Sequence, residues 1–596
     1  MSVHSAFEAQ KILSPRRNTT QATTTEELAA EQLAHFGIDP ESDYGRVLRQ
    51  MTERLYQTHA DVTELWRITT ETIEQLPQTD RIARFNAKKF LSFQIAKILD
   101  TLQNPFRKTY QSLNYSDTTH YAKGSYPIFD NVTALFAANP VVVKTATYIY
   151  ACTEWVDDAF HGKEMTHQIY SRLLNPTSIS LANAIVDLEC GPEAPNYLAW
   201  NFNSGMAAID AVLGNVLSSG DILIVSRNIY GGVHQLLVDY YARPDKMGIV
   251  IEWFDGYTGE EFATRYQEVQ EKHAEALARG KKIHVYVESP CNPHGYVLDV
   301  PAICQIAHRH DSLVMLDSTL ATPFLAQPLR HPDKAARPDY LIHSYTKDIS
   351  GNGASTAGVV IGETWRMFIP KGETVNGLPW NKTMFWDVYY IKGAFLDADK
   401  AFEVLTGMRT LEVRMMAKAI NTMALTRFLD SHPKITVNSH AVSSNPNFAL
   451  KNKVLRDELP CNLFTFDLEQ AGFSRDAFIR FFDSLAPTFN HQVSIGQTNT
   501  IVLCPALTSH SELDPEAMRR AGIYPTTIRV AVGDESPAEL IAHIINSARM
   551  FLDPEQPGFS EQFMAIDAID EMIASCHHAV WQAHLANVPK VSDLIA

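Results

Sequence analysis

Between Asp221 and Ile361 the sequence holds five short runs of nearly uninterrupted apolar residues: DILIVS (221–226), IHVYVE (283–288), SLVMLD (312–317), DYLIHS (339–344) and GVVIG (358–362). Helix-like stretches separate them. A strand that is apolar on both faces must be covered on both faces, so the pattern predicts a mainly parallel sheet sandwiched between helices. Polar and glycine residues sit at the ends of these runs. In open sheets of this kind, that is where ligands bind.

The 596 residues exceed one ordinary core, so at least two domains with appendages are expected. Hydrophobic residues make up 45% and charged residues 20%, as in folded enzymes. The 68 acidic against 51 basic side chains leave a net charge of −17, which opposes nonspecific binding to nucleic acid or an anionic membrane. Cys152, Cys190, Cys291, Cys304, Cys461, Cys504 and Cys576 are scattered and form no CxxC pair, which reads as reduced thiols in a cytoplasmic setting with no metal site. No apolar run approaches the roughly 20 residues needed to span a bilayer. Arg16 and Arg17 among hydroxyl residues suggest an organelle presequence, and Glu8, Glu26 and Glu27 oppose it.

Outside the strand-rich stretch, residues 18–26 are polar and expected to be mobile. A helical extension is expected from about Tyr44 to Asn104, on the spacing of Val47, Leu48, Met51, Leu55 and Tyr56 and of Phe90, Leu91, Phe93, Ile95, Ala96, Ile98 and Leu99. A long helix is expected through Met408 to Leu429, an α+β pattern over 460–550, and an amphipathic helix within 559–596 containing Phe563, Ile566, Ile569, Met572 and Ile573.

The candidate chemistry concentrates in HSYTKDISGNGASTAGVV (343–360). Lys347 follows the apolar strand residues Tyr340, Leu341 and Ile342. Partial desolvation there lowers an amine's pKa and yields a nucleophile that can form a Schiff base with a carbonyl. The alternative is an ordinary lysine reaching solvent. A nucleotide-phosphate loop is opposed by residue order, since its lysine follows the last glycine and Lys347 precedes the glycines. Asp317, closing SLVMLD, is either a buried carboxylate able to keep a pyridine nitrogen protonated or a helix cap. Ser204, Gly205 and Met206 open a helix whose free N–H groups attract a phosphate. Ser344 and Thr346 add hydroxyl donors, unless local backbone takes them.

YSRLLNPT (170–177), FNSGMAAID (202–210), YGG (230–232), ESPCNP (288–293), LDSTLATPFLAQPL (316–329), HSYTK (343–347), GMRTLEVRM (407–415), SIGQ (494–497) and TIRVAVGDE (527–535) follow one another in this order. Together they resemble the cystathionine γ-synthase, methionine γ-lyase and O-acetylhomoserine sulfhydrylase family of pyridoxal-phosphate enzymes, over roughly residues 120–550. The resemblance implies an α/β fold of the fold-type I pyridoxal-phosphate transferases. Its expected parts are an N-terminal extension (1–115), an arm contacting the neighbouring subunit (116–180), a large mainly parallel-sheet cofactor domain (181–395), a smaller α+β domain (396–553) and a helical tail (554–596).

Carried over, the resemblance makes Lys347 the cofactor-linked lysine and proton-moving base, and Tyr230 the residue that stacks on the cofactor ring and assists proton transfer or leaving-group departure. Asp317 would pair with the pyridine nitrogen and Asn292 would lie beside the ring hydroxyl. The backbone of Gly205 and Met206, with Ser344, Thr346 and Thr319, would complete the cofactor set. Tyr170 and Arg172 would reach the phosphate in a neighbouring subunit, implying a homodimer or homotetramer with shared sites. Arg529, with Ser494, would hold the substrate α-carboxylate, and an arginine within apolar TIRVAV is otherwise costly to bury.

The sequence departs from the family pattern at Asp317-Ser318-Thr319, Tyr345, Gly351-Asn352, Val233 and Asn499. Tyr345 and Asn352 are the positions first suspected of altering the substrate. GNGAST, ATPFLAQPL and the long segment between Gly362 and Gly407 look more like the sulfhydrylase branch. The expected activity is γ-replacement, with sulfide or a thiol as nucleophile, or γ-elimination on a homoserine- or methionine-like amino acid. A cystathionine or methionine lyase is the alternative, and a cofactor-free binding or regulatory descendant a third reading. The joint presence of Lys347, Asp317, Tyr230, Arg172 and Arg529 opposes the last.

Overall fold

The computed structural model describes residues 22–35, 37–76, 139–148, 169–508 and 515–588, with isolated positions at 83–84, 86, 89, 94–95, 97–98, 101, 137, 160, 590 and 591. Phe90, Leu91, Phe93, Ala96, Leu99, Cys152, residues 18–21 and most of residues 116–168 of the expected 116–180 arm lie outside the described residues. The chain divides into two units. One comprises Met1–Val141, Tyr148–Ile169 and Val588–Ala596, and the other Val142–Thr147 with Tyr170–Asn587.

The first unit contains α1 (Thr25–His35) and α2 (Asp43–Gln75), the latter begun by Ser42, whose side chain accepts from the Gly45 N–H. Leu28 and Tyr56 are buried in a small cluster. Val47, Met51 and Leu55 instead remain exposed. The periodicity therefore predicts the helix correctly without predicting a buried face.

The second unit begins with α3 (Pro176–Cys190), capped by Asn175, whose side chain accepts from the Thr177 and Ser178 N–H groups. A seven-stranded sheet follows, formed by β1 (Tyr197–Phe202), β2 (Ile222–Ser226), β3 (Val250–Phe254), β4 (Ile283–Glu288), β5 (Val314–Asp317), β6 (Tyr340–Ser344) and β7 (Gly358–Glu363) in the order β1-β7-β6-β5-β4-β2-β3. Pairing is parallel from β3 to β6 and antiparallel at β6–β7 and β7–β1. Every residue of β2, β4 and β5 is buried, as their uninterrupted apolar runs require. Edge strands β1 and β3 carry Asn201 and Glu252 among aromatics, so neither shows such a run.

Between β1 and β2 runs α4 (Gly205–Val216), and beyond β7 runs α5 (Leu411–Asp430). A second sheet consists of β8 (Thr436–Asn438), β9 (Leu463–Asp467), β10 (Asn490–His491), β11 (Ile501–Leu503) and β12 (Ile528–Ala531), in the order β8-β9-β12-β11-β10. Phe464, Phe466, Ile528 and Val530 enter one apolar core. The tail helix α6 (Ile566–Asn587) packs on α5. Its Cys576 and Val580 share a core with Met415 and Ala419, and Phe563 stacks on Phe428 at 4.5 Å. Ile566, expected on the apolar face, is exposed. Among the described residues no helix is long and apolar enough to cross a membrane.

Because Val580 is fully buried, Val580→Asp is expected to lower unfolding stability by about 2–4 kcal/mol, read from the denaturant midpoint. An unchanged midpoint would show that α6 is not held in this core.

Candidate active site

Glu288, Asp317 and Ser344 are the last residues of the neighbouring parallel strands β4, β5 and β6, and Glu288 lies directly opposite Asp317 in register. The three side chains line a cavity of about 260 Å³. On one wall the N-terminus of α4 is capped by Ser204, which accepts from the Ala207 N–H. Gly205 lies so near β6 that a Cβ there would be 2.7 Å from the Ser344 Cβ. The backbone at Gly205 and Met206 therefore meets Ser344 and Thr346 at one end of the cavity.

To the same cavity β12 supplies Arg529. The side-chain alternation that points Ile528 and Val530 into the core turns Arg529 to the cavity. Its Nη1 donates to Asn292 Oδ1 at 3.1 Å and its Nη2 to the Ser494 carbonyl at 2.8 Å. Nε is buried with no partner, and among the described residues no carboxylate lies within ion-pair distance. A buried guanidinium without a counter-ion is costly, so the site is built to receive an anion.

Lys347 follows β6 and donates from Nζ to Ser494 Oγ at 3.2 Å. Burial, and then the Arg529 charge, lower its pKa to about 8, against the pull of Asp348 and Asp317. Asp317 Oδ1 accepts from the Thr319 N–H at 3.0 Å and hydroxyl at 2.6 Å. Burial raises its pKa, and the Thr319 bonds oppose that rise. Burial also pushes Glu288 well above the usual carboxyl range, with Asp317 adding to the effect.

Tyr230 precedes the short helix Gly231–Leu236 and lines the cavity. Gly232 makes room for its ring, since a Cβ there would lie 2.6 Å from Tyr230 Cε1. The Tyr230 N–H donates to Glu288 Oε2 at 2.7 Å, and the Asn292 N–H to Oε1 at 2.9 Å.

Gly205, Met206, Tyr230, Asn292, Asp317, Thr319, Ser344, Thr346, Lys347, Ser494 and Arg529 thus share one cavity. Tyr170 and Arg172 do not line it. Arg172 donates from Nη1 to the Tyr390 carbonyl at 2.7 Å and lies over the Tyr170 and Tyr390 rings. Glu288, Thr356 and Val493 line the cavity without having been singled out from the sequence. For Glu288 the signal existed: like Asp317, it is an acid closing a mostly apolar strand.

The suspected substrate-altering positions are not in the cavity. Tyr345 is fully buried in the sheet core, and its hydroxyl donates to Asn201 Oδ1 at 3.1 Å. Exposed Asn352 accepts the Ala354 N–H in a local turn.

The family described as Cys/Met metabolism PLP-dependent enzyme matches residues 130–548. The chain belongs to this family. An L-methionine gamma-lyase of Pseudomonas deceptionensis is 30% identical over 72% of this chain and 96% of its own length. An O-succinylhomoserine sulfhydrylase of Pseudomonas aeruginosa is 31% identical over 67% and 87%. A solved structure from Campylobacter jejuni carrying N'-pyridoxyl-lysine-5'-monophosphate has TM-score 0.58 and 27% identity, covering 69% of this chain and 96% of that one. The protein is an α/β enzyme of fold type I with pyridoxal phosphate as its cofactor.

The cavity's donor set suits that cofactor. Backbone N–H groups at a helix start and two hydroxyls match a phosphate, a buried acid matches a ring nitrogen, and a desolvated lysine matches the aldehyde. With the Lys347 pKa near 8, the rate at which the apoprotein captures pyridoxal phosphate is expected to rise about tenfold per pH unit below that value and to level off above it. Arg529→Met removes a positive charge that lowers this pKa, so the plateau should move to higher pH. A flat profile in both proteins would contradict the assignment.

Proposed function

We propose that the enzyme performs γ-replacement or γ-elimination on a homoserine- or methionine-like amino acid. One observation carries this reading most directly: the cavity brings a depressed-pKa lysine and an uncompensated buried arginine together, 11 of the 13 anticipated site residues lining the same walls. Relatives named as methionine lyases and as acylhomoserine sulfhydrylases support the substrate class.

When bound, pyridoxal phosphate supplies an electron sink that makes protons on the amino acid's carbons removable. Asp317 would keep the ring nitrogen protonated, with Thr319 orienting the carboxylate. Ser344, Thr346 and the backbone of Gly205 and Met206 would hold the phosphate. Asn292 would help hold the ring. Arg529 clamps the α-carboxylate with Ser494 beside it, fixing which Cα bond faces the lysine. Lys347 takes the α proton and moves protons between neighbouring carbons, a role that requires the neutral amine favoured by its burial. Tyr230 would help hold the ring and assist proton transfer or departure of the γ substituent. Sulfide or a thiol would then add in replacement, whereas in elimination water would take the amino nitrogen off as ammonia and leave an oxoacid.

Tyr170 and Arg172, outside this chain's cavity, serve the cavity of a second copy in a homodimer or homotetramer. Cys190, Cys291, Cys304, Cys461, Cys504 and Cys576 are buried free thiols, which supports a cytoplasmic setting.

Products formed with and without added sulfide separate the two reactions. Oxoacid and ammonia appearing without a thiol indicate elimination, whereas a thioether or homocysteine appearing only with the nucleophile indicates replacement. Arg529→Met is expected to raise KM for the amino acid about a hundredfold with a smaller fall in kcat. An unchanged KM would remove Arg529 from carboxylate binding.

A further inference from the structure

Lys418 of α5 and Asp348 are both fully buried, and Asp348 is the residue directly after Lys347. Lys418 Nζ donates to Asp348 Oδ1 at 2.7 Å and to the Gln497 carbonyl at 2.7 Å, and lies 4.0 Å from Asp534 Oδ1. Asn462 Nδ2 donates to both Asp348 carboxylate oxygens, at 3.0 and 3.3 Å, and to the Val532 carbonyl at 3.3 Å. One helical turn before Lys418, Arg414 donates to the Asp348 carbonyl at 2.6 Å and the Ile349 carbonyl at 3.3 Å. Gly496 closes the contact. With φ +75°, its backbone lies so near Asp348 that a Cβ would be 2.5 Å from the Asp348 N.

Three segments therefore converge on one ion pair, and each carries a cavity residue within a few positions. Asp348 adjoins Lys347, Gln497 follows Ser494 in the same loop, and Val532 follows Arg529 along the same chain stretch. Stability alone is a poor reason for such a pair. Desolvating both charges offsets most of their attraction, and apolar replacements of similar shape are often neutral or stabilising. A fixed register among three segments from the two sheets is what the arrangement supplies.

We propose that the Asp348–Lys418 pair, with Asn462, is a positioning device that sets the Lys347 amine against Ser494 and Arg529. Neither charged group lines the cavity. Both act through the backbone that bears the reacting groups, so removing the pair misplaces Lys347 without removing any group that touches substrate. The proposal rests on Lys347 being the cofactor lysine, which loss of the cofactor's visible absorbance in Lys347→Ala tests separately.

The test is the isosteric, charge-neutral double variant Asp348→Asn/Lys418→Met in the full-length, pyridoxal-phosphate-loaded enzyme, with Asn462→Ala, which leaves the ion pair in place, beside it. Far-UV circular dichroism and melting report the fold, and visible circular dichroism of the bound cofactor reports its orientation. Steady-state kinetics separate kcat from KM. The double variant is expected to fold and melt near wild type, to lose much of the visible dichroic band, and to lose roughly ten- to a hundredfold in kcat with KM changed less. Asn462→Ala should move the same readouts in the same direction by a smaller factor. A folded double variant with wild-type visible dichroism and kcat would overturn the proposal. So would a double variant that does not fold, because the pair would then belong to the stability of the core.

Discussion

The parallel pairing of β4, β5 and β6 is the constraint on which the rest depends. It ends three neighbouring strands on one edge and so sets Glu288, Asp317 and Ser344 side by side, with Lys347 three residues beyond. Antiparallel pairing would send alternate strand ends to opposite edges and disperse these groups. The same edge receives the N-terminus of α4, because Gly205 lets helix and strand approach within side-chain contact. Gly205, Ser344, Asp317 and Lys347 thus share one crevice as a consequence of strand direction.

The second sheet contributes a positive charge. Arg529 enters a buried wall from the centre of a sheet, where alternation forces a side chain off the apolar core, and it lacks a carboxylate partner among the described residues. Its charge also lowers the Lys347 pKa, so a carboxylate arriving beside Arg529 would offset part of that lowering.

Much of this was legible in the sequence, and the limits have physical causes. Continuous apolar runs marked β2, β4, β5, β6 and β7 because a doubly covered strand has no solvent face. The direction of β7 left no trace in its composition. Edge strands β1 and β3 were hidden, since buried Asn201 and Glu252, held by Ser178 and by Arg265 and His273, interrupt their apolar runs. The motif residues around the cavity could be named singly, whereas Glu288 was passed over although it closes an apolar strand as Asp317 does, and its bonds to the Tyr230 and Asn292 N–H groups emerge only in the fold. Tyr345 read as an intruder near the site, yet it turns into the core, where its hydroxyl finds Asn201. Lys418 sat in an apolar helical pattern, and its partner Asp348 lay 70 residues away.

The central claim is that Lys347 is the lysine the fold prepares for the cofactor. Reducing the pyridoxal-phosphate-loaded protein with borohydride and mapping the labelled peptide tests it directly, because Lys451 is a second lysine whose pKa burial lowers to about 8. The account predicts a pyridoxyl group on Lys347 alone. A label on Lys451 or Lys418, or stable incorporation spread over surface lysines, would contradict it.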